Sequence, residues 1–259
     1  MSSPLLSLQN VSAGYGEKTV VNGVSLAVRP GEFCALLGLN GSGKTTLLKA
    51  ICGLLPVKSG SCLVGGTDLT GLNEYRRARH ISYIPQRHSK LLGVRVLDAV
   101  MMGLYSRLHA LEFPTAQDRQ AANLALEKTG MAHLAAEDFS RLSEGQKQMV
   151  ILARTLVQNT PVMLMDEPDS ALDFLNRRKM LEEVRQLIHR EGKAGLVSLH
   201  DPSLALEYCD HIVLIHGGQV ISDLHLSRAC HLEIETCLSQ IYGGITLLKH
   251  EDRYVVLSK

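Results

Sequence analysis

The chain of 259 residues has almost no excess of either charge: 27 lysines and arginines against 26 aspartates and glutamates leave a formal net charge of +1. Proteins devoted to the phosphate backbone of nucleic acids carry a pronounced basic surplus, so no nucleic-acid partner is expected. An apolar run of about 18 residues, the length that a bilayer-crossing helix needs, is missing as well. The opening stretch MSSPLLSLQNVSAG lacks a charged segment followed by an apolar one, so no secretion signal is expected. The six cysteines, at positions 34, 52, 62, 209, 230 and 237, make neither a CxxC pair nor a Cys/His spacing suited to zinc. Reduced thiols in a cytosolic protein are the expectation. His225, Cys230, His231 and Cys237 are spaced irregularly and read as ordinary packing. No repeat, low-complexity tract or long linker divides the chain, and any membrane role falls to its surface.

What is present is a rhythm of short apolar runs, at 33–37, 81–84, 162–165, 196–199 and 212–215, separated by stretches of helical spacing at 45–55, 145–158 and 173–191. Continuous apolar strands alternating with helices imply a mainly parallel sheet covered on both faces. The first thirty residues instead alternate, as half-exposed antiparallel strands do. Between Pro85 and Ser140 the strand signal disappears, and amphipathic helices at 94–104 and 115–129 fit a helical insertion. Beyond Val220 the pattern fades until GITLLKHEDRYVVLSK, which reads as a β-hairpin turning at 250–253.

Between the run 33–37 and the helix after it lies GLNGSGKT, which matches GxxxxGK[ST]. Such a loop turns backbone N–H groups inward and adds the positive end of a helix dipole, making a cradle for phosphate. Lys44 would reach the β- and γ-phosphates and the Thr45 hydroxyl would ligate Mg²⁺. VMLMDEP is an apolar strand ending in two carboxylates: Asp166 is suited to holding the metal and Glu167 to polarising a water. LSEGQ opens a long helix with Ser143 at its N-cap, a second anion site. Two such sites on one chain are economically explained by a symmetric dimer, in which Ser143 and Gly145 of one copy close over the nucleotide held by Lys44 of the other.

With GLNGSGKT, LSEGQ, VMLMDEP and SALD in this order, residues 5–223 resemble the ATP-binding subunits of ABC transporters. The resemblance implies an α/β fold: a P-loop NTPase core with a mainly parallel sheet, an N-terminal antiparallel β subdomain and an inserted α-helical subdomain. Residues 1–86 and 155–223 would form the core, 87–154 the helical part with the signature motif, and 224–259 a C-terminal extension. It also implies ATP and Mg²⁺ as ligands. ATP would be held by Tyr15, stacked on adenine, by Gly38, Asn40, Gly41, Ser42, Gly43, Lys44, Thr45 and Thr46, and across the dimer by Ser143, Gly145, Gln146 and Asp173. Mg²⁺ would be held by Thr45, Gln86 and Asp166. Glu167, His200, Lys44 and Gln86 would carry catalysis, with His200 as the switch histidine at the γ-phosphate. Glu144 stands where a glycine is commoner, and Asp169 where threonine often stands; neither removes a catalytic group, so active hydrolysis is expected.

The same resemblance implies a homodimer at the cytoplasmic face of the membrane, working with separate permease subunits and a substrate-binding protein. YIPQ, VLDAVMMG and SALDF are most similar to importers of iron chelates (siderophore or haem) and cobalamin. An amino acid, metal ion or export system, or a soluble ATP-dependent switch, are the alternatives.

Overall fold

The computed structural model describes residues 3–86, 91–108, 112–250 and 253–258. The alternating N-terminal segments become β1 (Leu6–Tyr15) and β2 (Lys18–Val28), antiparallel with Leu6 opposite Val28. Then follow β3 (Glu32–Leu37), α1 (Lys44–Cys52), β4 (Val57–Val64), β5 (Thr67–Asp68), α2 (Glu74–Arg77) and β6 (Ile81–Ile84). The insertion supplies α3 (Val96–Met101), α4 (Ala116–Lys128) and α5 (Glu144–Gln158). The chain closes with β7 (Val162–Asp166), α6 (Phe174–Glu191), β8 (Ala194–Leu199), α7 (Pro202–Tyr208), β9 (His211–His216), β10 (Gln219–His225), α8 (His231–Tyr242) and the hairpin β11 (Ile245–His250) and β12 (Arg253–Ser258).

The main sheet runs β10-β9-β3-β8-β7-β6, parallel throughout except for β10, which folds back antiparallel on β9. Its inner strands β3, β7 and β8 are buried at every position because both faces are covered. Phe33, Ala35 and Leu37 pack with the helices α3 to α8, whereas Cys34 and Leu36 pack with α1 and the sheet β2-β1-β4-β5. β7 divides the same way, Met163 and Met165 to one side, Val162 and Leu164 to the other. Helix α1 is thus pinned between two sheets through Leu47, Leu48 and Ile51, which fixes the loop ahead of it.

Several elements differ from the sequence expectation. β4 was not expected; it pairs with β1 through a register shift between Gln9 and Ser12, and such a bulge blurs period-2 alternation. The stretch past Val220 is not patternless: it contains β10 and the twelve-residue α8. The expected helix 94–104 is split, α3 passing into a 3₁₀ segment over Met102–Ser106. The turn of the terminal hairpin, residues 251 and 252, lies outside the described residues. Helix α5 continues without a break past residue 154 to Gln158, so the insertion enters the core on a rigid rod rather than through a joint.

Candidate functional site

The phosphate-type loop leaves β3 at Gly38 and enters α1 at Lys44. A Cβ on Gly38 would lie 2.4 Å from the Ile215 carbonyl oxygen and 2.6 Å from Ser42 Oγ, so only glycine lets the loop fold against β9. Gly43 caps α1 with φ 109°, a left-handed conformation, and no side chain satisfies the first N–H groups of the helix. Ser42 Oγ is buried with no hydrogen-bond partner, and no acid stands in the first turn of α1. Uncapped N–H groups, an orphaned hydroxyl and a lysine are a donor set that fits an anion of several oxygens. Lys44 Nζ donates to the carbonyls of Gly38 (2.7 Å) and Leu39 (3.2 Å), spanning the loop. Burial lowers its pKa, an effect partly offset by Glu167 and Asp166. Asn40 and Gly41 are exposed on the loop, whereas Thr46 is buried behind it.

Facing the loop is the end of β7. Asp166, 1% exposed, accepts from Thr45 Oγ1 (3.0 Å) and Ser198 Oγ (2.8 Å) at one oxygen and from Tyr83 OH (3.3 Å) at the other. Burial, together with the Asp166 charge, drives the Tyr83 phenol pKa up, so the hydroxyl stays a donor. Oxygen ligands from Thr45 and Asp166 suit a hard divalent ion. The following residue, Glu167, turns into a left-handed conformation (φ 46°), which aims its side chain away from that of Asp166. Its N–H is held by Ser198 Oγ (2.9 Å), and its carboxylate lies between Gln86 Nε2 and His200 Nε2, the latter 2.5 Å away. Parallel pairing of β7 and β8, with Asp166 beside Ser198, brings all of these to one sheet edge.

Of the residues singled out in the sequence, Lys44, Thr45, Gln86, Asp166, Glu167 and His200 lie together at this edge. Ser198 is the residue that sequence reading missed, although a lone hydroxyl in the apolar run GLVSLH was its signal. Tyr15 ends β1 exposed, at 52%.

The signature residues are elsewhere. Ser143 caps α5 by accepting from the Gln146 N–H (3.2 Å), while Gln146 Oε1 accepts from the Ser143 N–H (2.9 Å). Gln146 is therefore committed to the cap. Asp173 caps α6 through Asn176. Ser143, Gly145, Gln146 and Asp173 line a cavity of about 370 Å³ to which the 38–46 loop contributes nothing. One chain holds two half-sites.

Comparison with known proteins agrees with this geometry. Residues 21–170 match the family model described as ABC transporter. An ABC transporter ATP-binding protein of Haemophilus influenzae is 39% identical over 250 residues, covering 95% of this chain and 92% of its own. A protein of Helicobacter pylori named as a probable iron chelatin transport ATP-binding protein is 35% identical over 254 residues, with 97% and 98% covered. Among solved structures, a dimeric ATP-binding cassette in a post-hydrolysis state with ADP and phosphate superposes with a TM-score of 0.77 at 25% identity, covering 87% of this chain and all of the other. No helix among the described residues is long and apolar enough to cross a membrane. A phosphate loop, a carboxylate pair at the edge of a parallel sheet and a capped signature helix, in a chain similar to these relatives along nearly its whole length, make it a member of the ABC transporter family, as a nucleotide-binding ATPase cassette.

Proposed function

We propose that this chain powers import of an iron chelate (siderophore or haem) or cobalamin, working as a homodimer on the cytoplasmic face of the membrane beneath separate permease subunits that receive cargo from a substrate-binding protein. The observation that carries the dimer is the separation of the half-sites: the cavity of Ser143 and Gly145 has no phosphate loop of its own. The cargo class rests on the near-full-length likeness to the Helicobacter pylori protein and on the wording of YIPQ and VLDAVMMG.

In this reading Tyr15 stacks on adenine, and the N–H groups of residues 40–46 with Lys44 Nζ bind the β- and γ-phosphates. Thr45, Asp166 and Gln86 would hold Mg²⁺, which would supply positive charge beside the phosphates. Glu167 takes a proton from the attacking water, and His200 orients that carboxylate while reaching the γ-phosphate. Ser143 and Gly145 of the second copy close the pocket, and Asp173 lies on the loop that crosses between copies. Loss of the γ-phosphate removes the shared ligand and the dimer reopens.

Glu167→Gln tests the reading. Without the base, turnover should fall by roughly 10²–10⁴-fold, while Mg²⁺ and ATP convert the variant to a stable dimer on light scattering. A variant that hydrolyses at the parent rate, or stays monomeric with saturating ATP in the presence of its permease, would refute it. The cargo is tested separately, by identifying the polytopic protein that co-purifies from detergent extracts and measuring which chelate it takes up.

A further inference from the structure

Well away from the nucleotide edge, at the opposite end of β3, three side chains from three strands converge. Glu32 opens β3, His211 opens β9 and His225 ends β10. His211 is fully buried and Glu32 nearly so, while His225 is half-buried. The two imidazoles stack with centroids 4.1 Å apart at 18°. Glu32 Oε2 accepts from the Arg29 N–H (2.7 Å), which leaves Oε1 facing both rings: 2.8 Å from His225 Nδ1 and 3.7 Å from His211 Nδ1.

His211 decides the matter. Its Nε2 lies 2.7 Å from Asp223 Oδ1, and an ionised carboxylate only accepts, so Nε2 carries the proton. In the neutral form of the ring, that leaves a bare lone pair at Nδ1. That atom is buried, has no hydrogen-bond partner, and points toward a carboxylate oxygen. Two electron-rich atoms facing each other out of water are unfavourable unless a cation lies between them. A carboxylate on the far nitrogen of an imidazole is also the usual way of orienting a histidine that ligates a metal.

We propose that Glu32 Oε1, His211 Nδ1 and His225 Nδ1 bind a divalent transition-metal ion of the zinc class, with Asp223 as the residue that orients His211. The three ligand atoms lie within 4.8 Å of one another, and small inward shifts bring them to tetrahedral spacing around an ion about 2 Å from each. Solvent at the exposed side of His225 supplies the fourth ligand. Arg29 Nη1 sits 3.4 Å from His225 Nε2 and must turn outward, because that nitrogen carries the proton once Nδ1 is on the metal. At roughly 3.3 Å per residue along β3, Glu32 is six residues, about 20 Å, from Gly38. It staples the turn before β3 and the edge strand β10 to the centre of the sheet, without touching the groups that bind ATP.

Co²⁺ titrated into the nucleotide-loaded protein with excess Mg²⁺ tests this. The expected result is the intense visible absorption of four-coordinate cobalt at one equivalent per chain, bleached by Zn²⁺, together with a Zn²⁺-dependent rise in melting temperature. His225→Ala should abolish both. Asp223→Asn should weaken affinity about 10–100-fold, and Arg29→Ala should tighten it. His200→Ala, which alters the histidine–carboxylate pair beside the phosphate loop, should leave the bands intact. A parent protein without the bands, bands that survive His225→Ala, or bands lost in His200→Ala would each overturn the assignment; a His211 ring protonated on both nitrogens at neutral pH would replace it with an imidazolium shared by Glu32 and Asp223.

Discussion

At the scale of single residues, the edge of the sheet at the end of β7 carries carboxylates whose surroundings differ. Asp166 is met by three hydroxyls and Glu167 by an amide and an imidazole, whereas Asp169, two residues further on, is 7% exposed and has Arg177 at 3.7 Å. Burial raises the Asp169 pKa above the ordinary carboxylate value, outweighing Arg177. An acid with a raised folded-state pKa binds its proton more tightly in the folded chain, so stability falls as pH rises from the unfolded value, about 4, and levels off above the folded one. Asp169→Asn removes that cost. Its stability relative to the parent should grow through this window, reach a plateau toward neutral pH, and vanish below about pH 4. Urea melts across the range check it; a difference independent of pH would show that burial of this charge costs nothing.

The candidate residues Asp166, Glu167 and His200 were legible in the sequence because they stand at the ends of apolar runs, where a polar side chain has no packing reason to be. Ser198 was not, since one hydroxyl inside a strand is chemically ambiguous until Asp166 and Glu167 are seen beside it. Glu32, His211 and His225 are 179 and 14 residues apart along the chain, 211 − 32 and 225 − 211, and only the pairing of β3 with β9 and of β9 with β10 makes them neighbours.

At the scale of elements, α5 is closed at its N-terminus by the reciprocal cap of Ser143 and Gln146, and in the proposed dimer the Ser143 hydroxyl is also the group offered to a nucleotide. Ser143→Ala should therefore cost about 1 kcal/mol of stability and, separately, weaken ATP-driven dimerisation of the Glu167→Gln protein. Ser143→Thr should restore the melting temperature. If the alanine variant dimerised as tightly as its parent, Ser143 would be a cap and nothing more. Strands and helices with unbroken patterns were read from sequence to within a few residues, such as Ile81–Ile84 and α6 after its Asp173 cap. β4 was lost to its bulge against β1. Helix α8 was overlooked despite a clear signal: Ile234, Cys237, Leu238 and Ile241 recur at the 3, 4 and 7 spacing of one helical face and are the residues it buries.

At the scale of the whole molecule, the C-terminal region is part of the core rather than a tail. Ile234, Leu238, Ile241, Ile245 and Leu247 belong to the same buried cluster as Ile212 and Leu214 of β9. Tyr242 OH donates to the backbone carbonyl of His200 (3.4 Å). At about 1.5–3 kcal/mol for each large apolar side chain buried, a chain ending after β10 loses more than its net stability can absorb. It should be recovered aggregated, or with its melting transition sharply lowered. A truncated chain that melts like the parent would show that the rest of the molecule does not need this region.

Helix α5 also does something that neither of its ends does alone. From Ser143 it runs 15 residues, about 22 Å, to Gln158, whose amide donates to the carbonyls of Ala78 (2.8 Å) and Ile81 (3.2 Å) at the start of β6. Two residues past the other end of β6 is Gln86, bonded to Glu167. In the proposed dimer, a tug on the cap of this strut by a neighbour's triphosphate would be passed, through a strand only four residues long, to the amide that touches Glu167. The two pockets of such a dimer would sense each other's contents through a helix and a strand, with Pro85 alone between that strand and the amide.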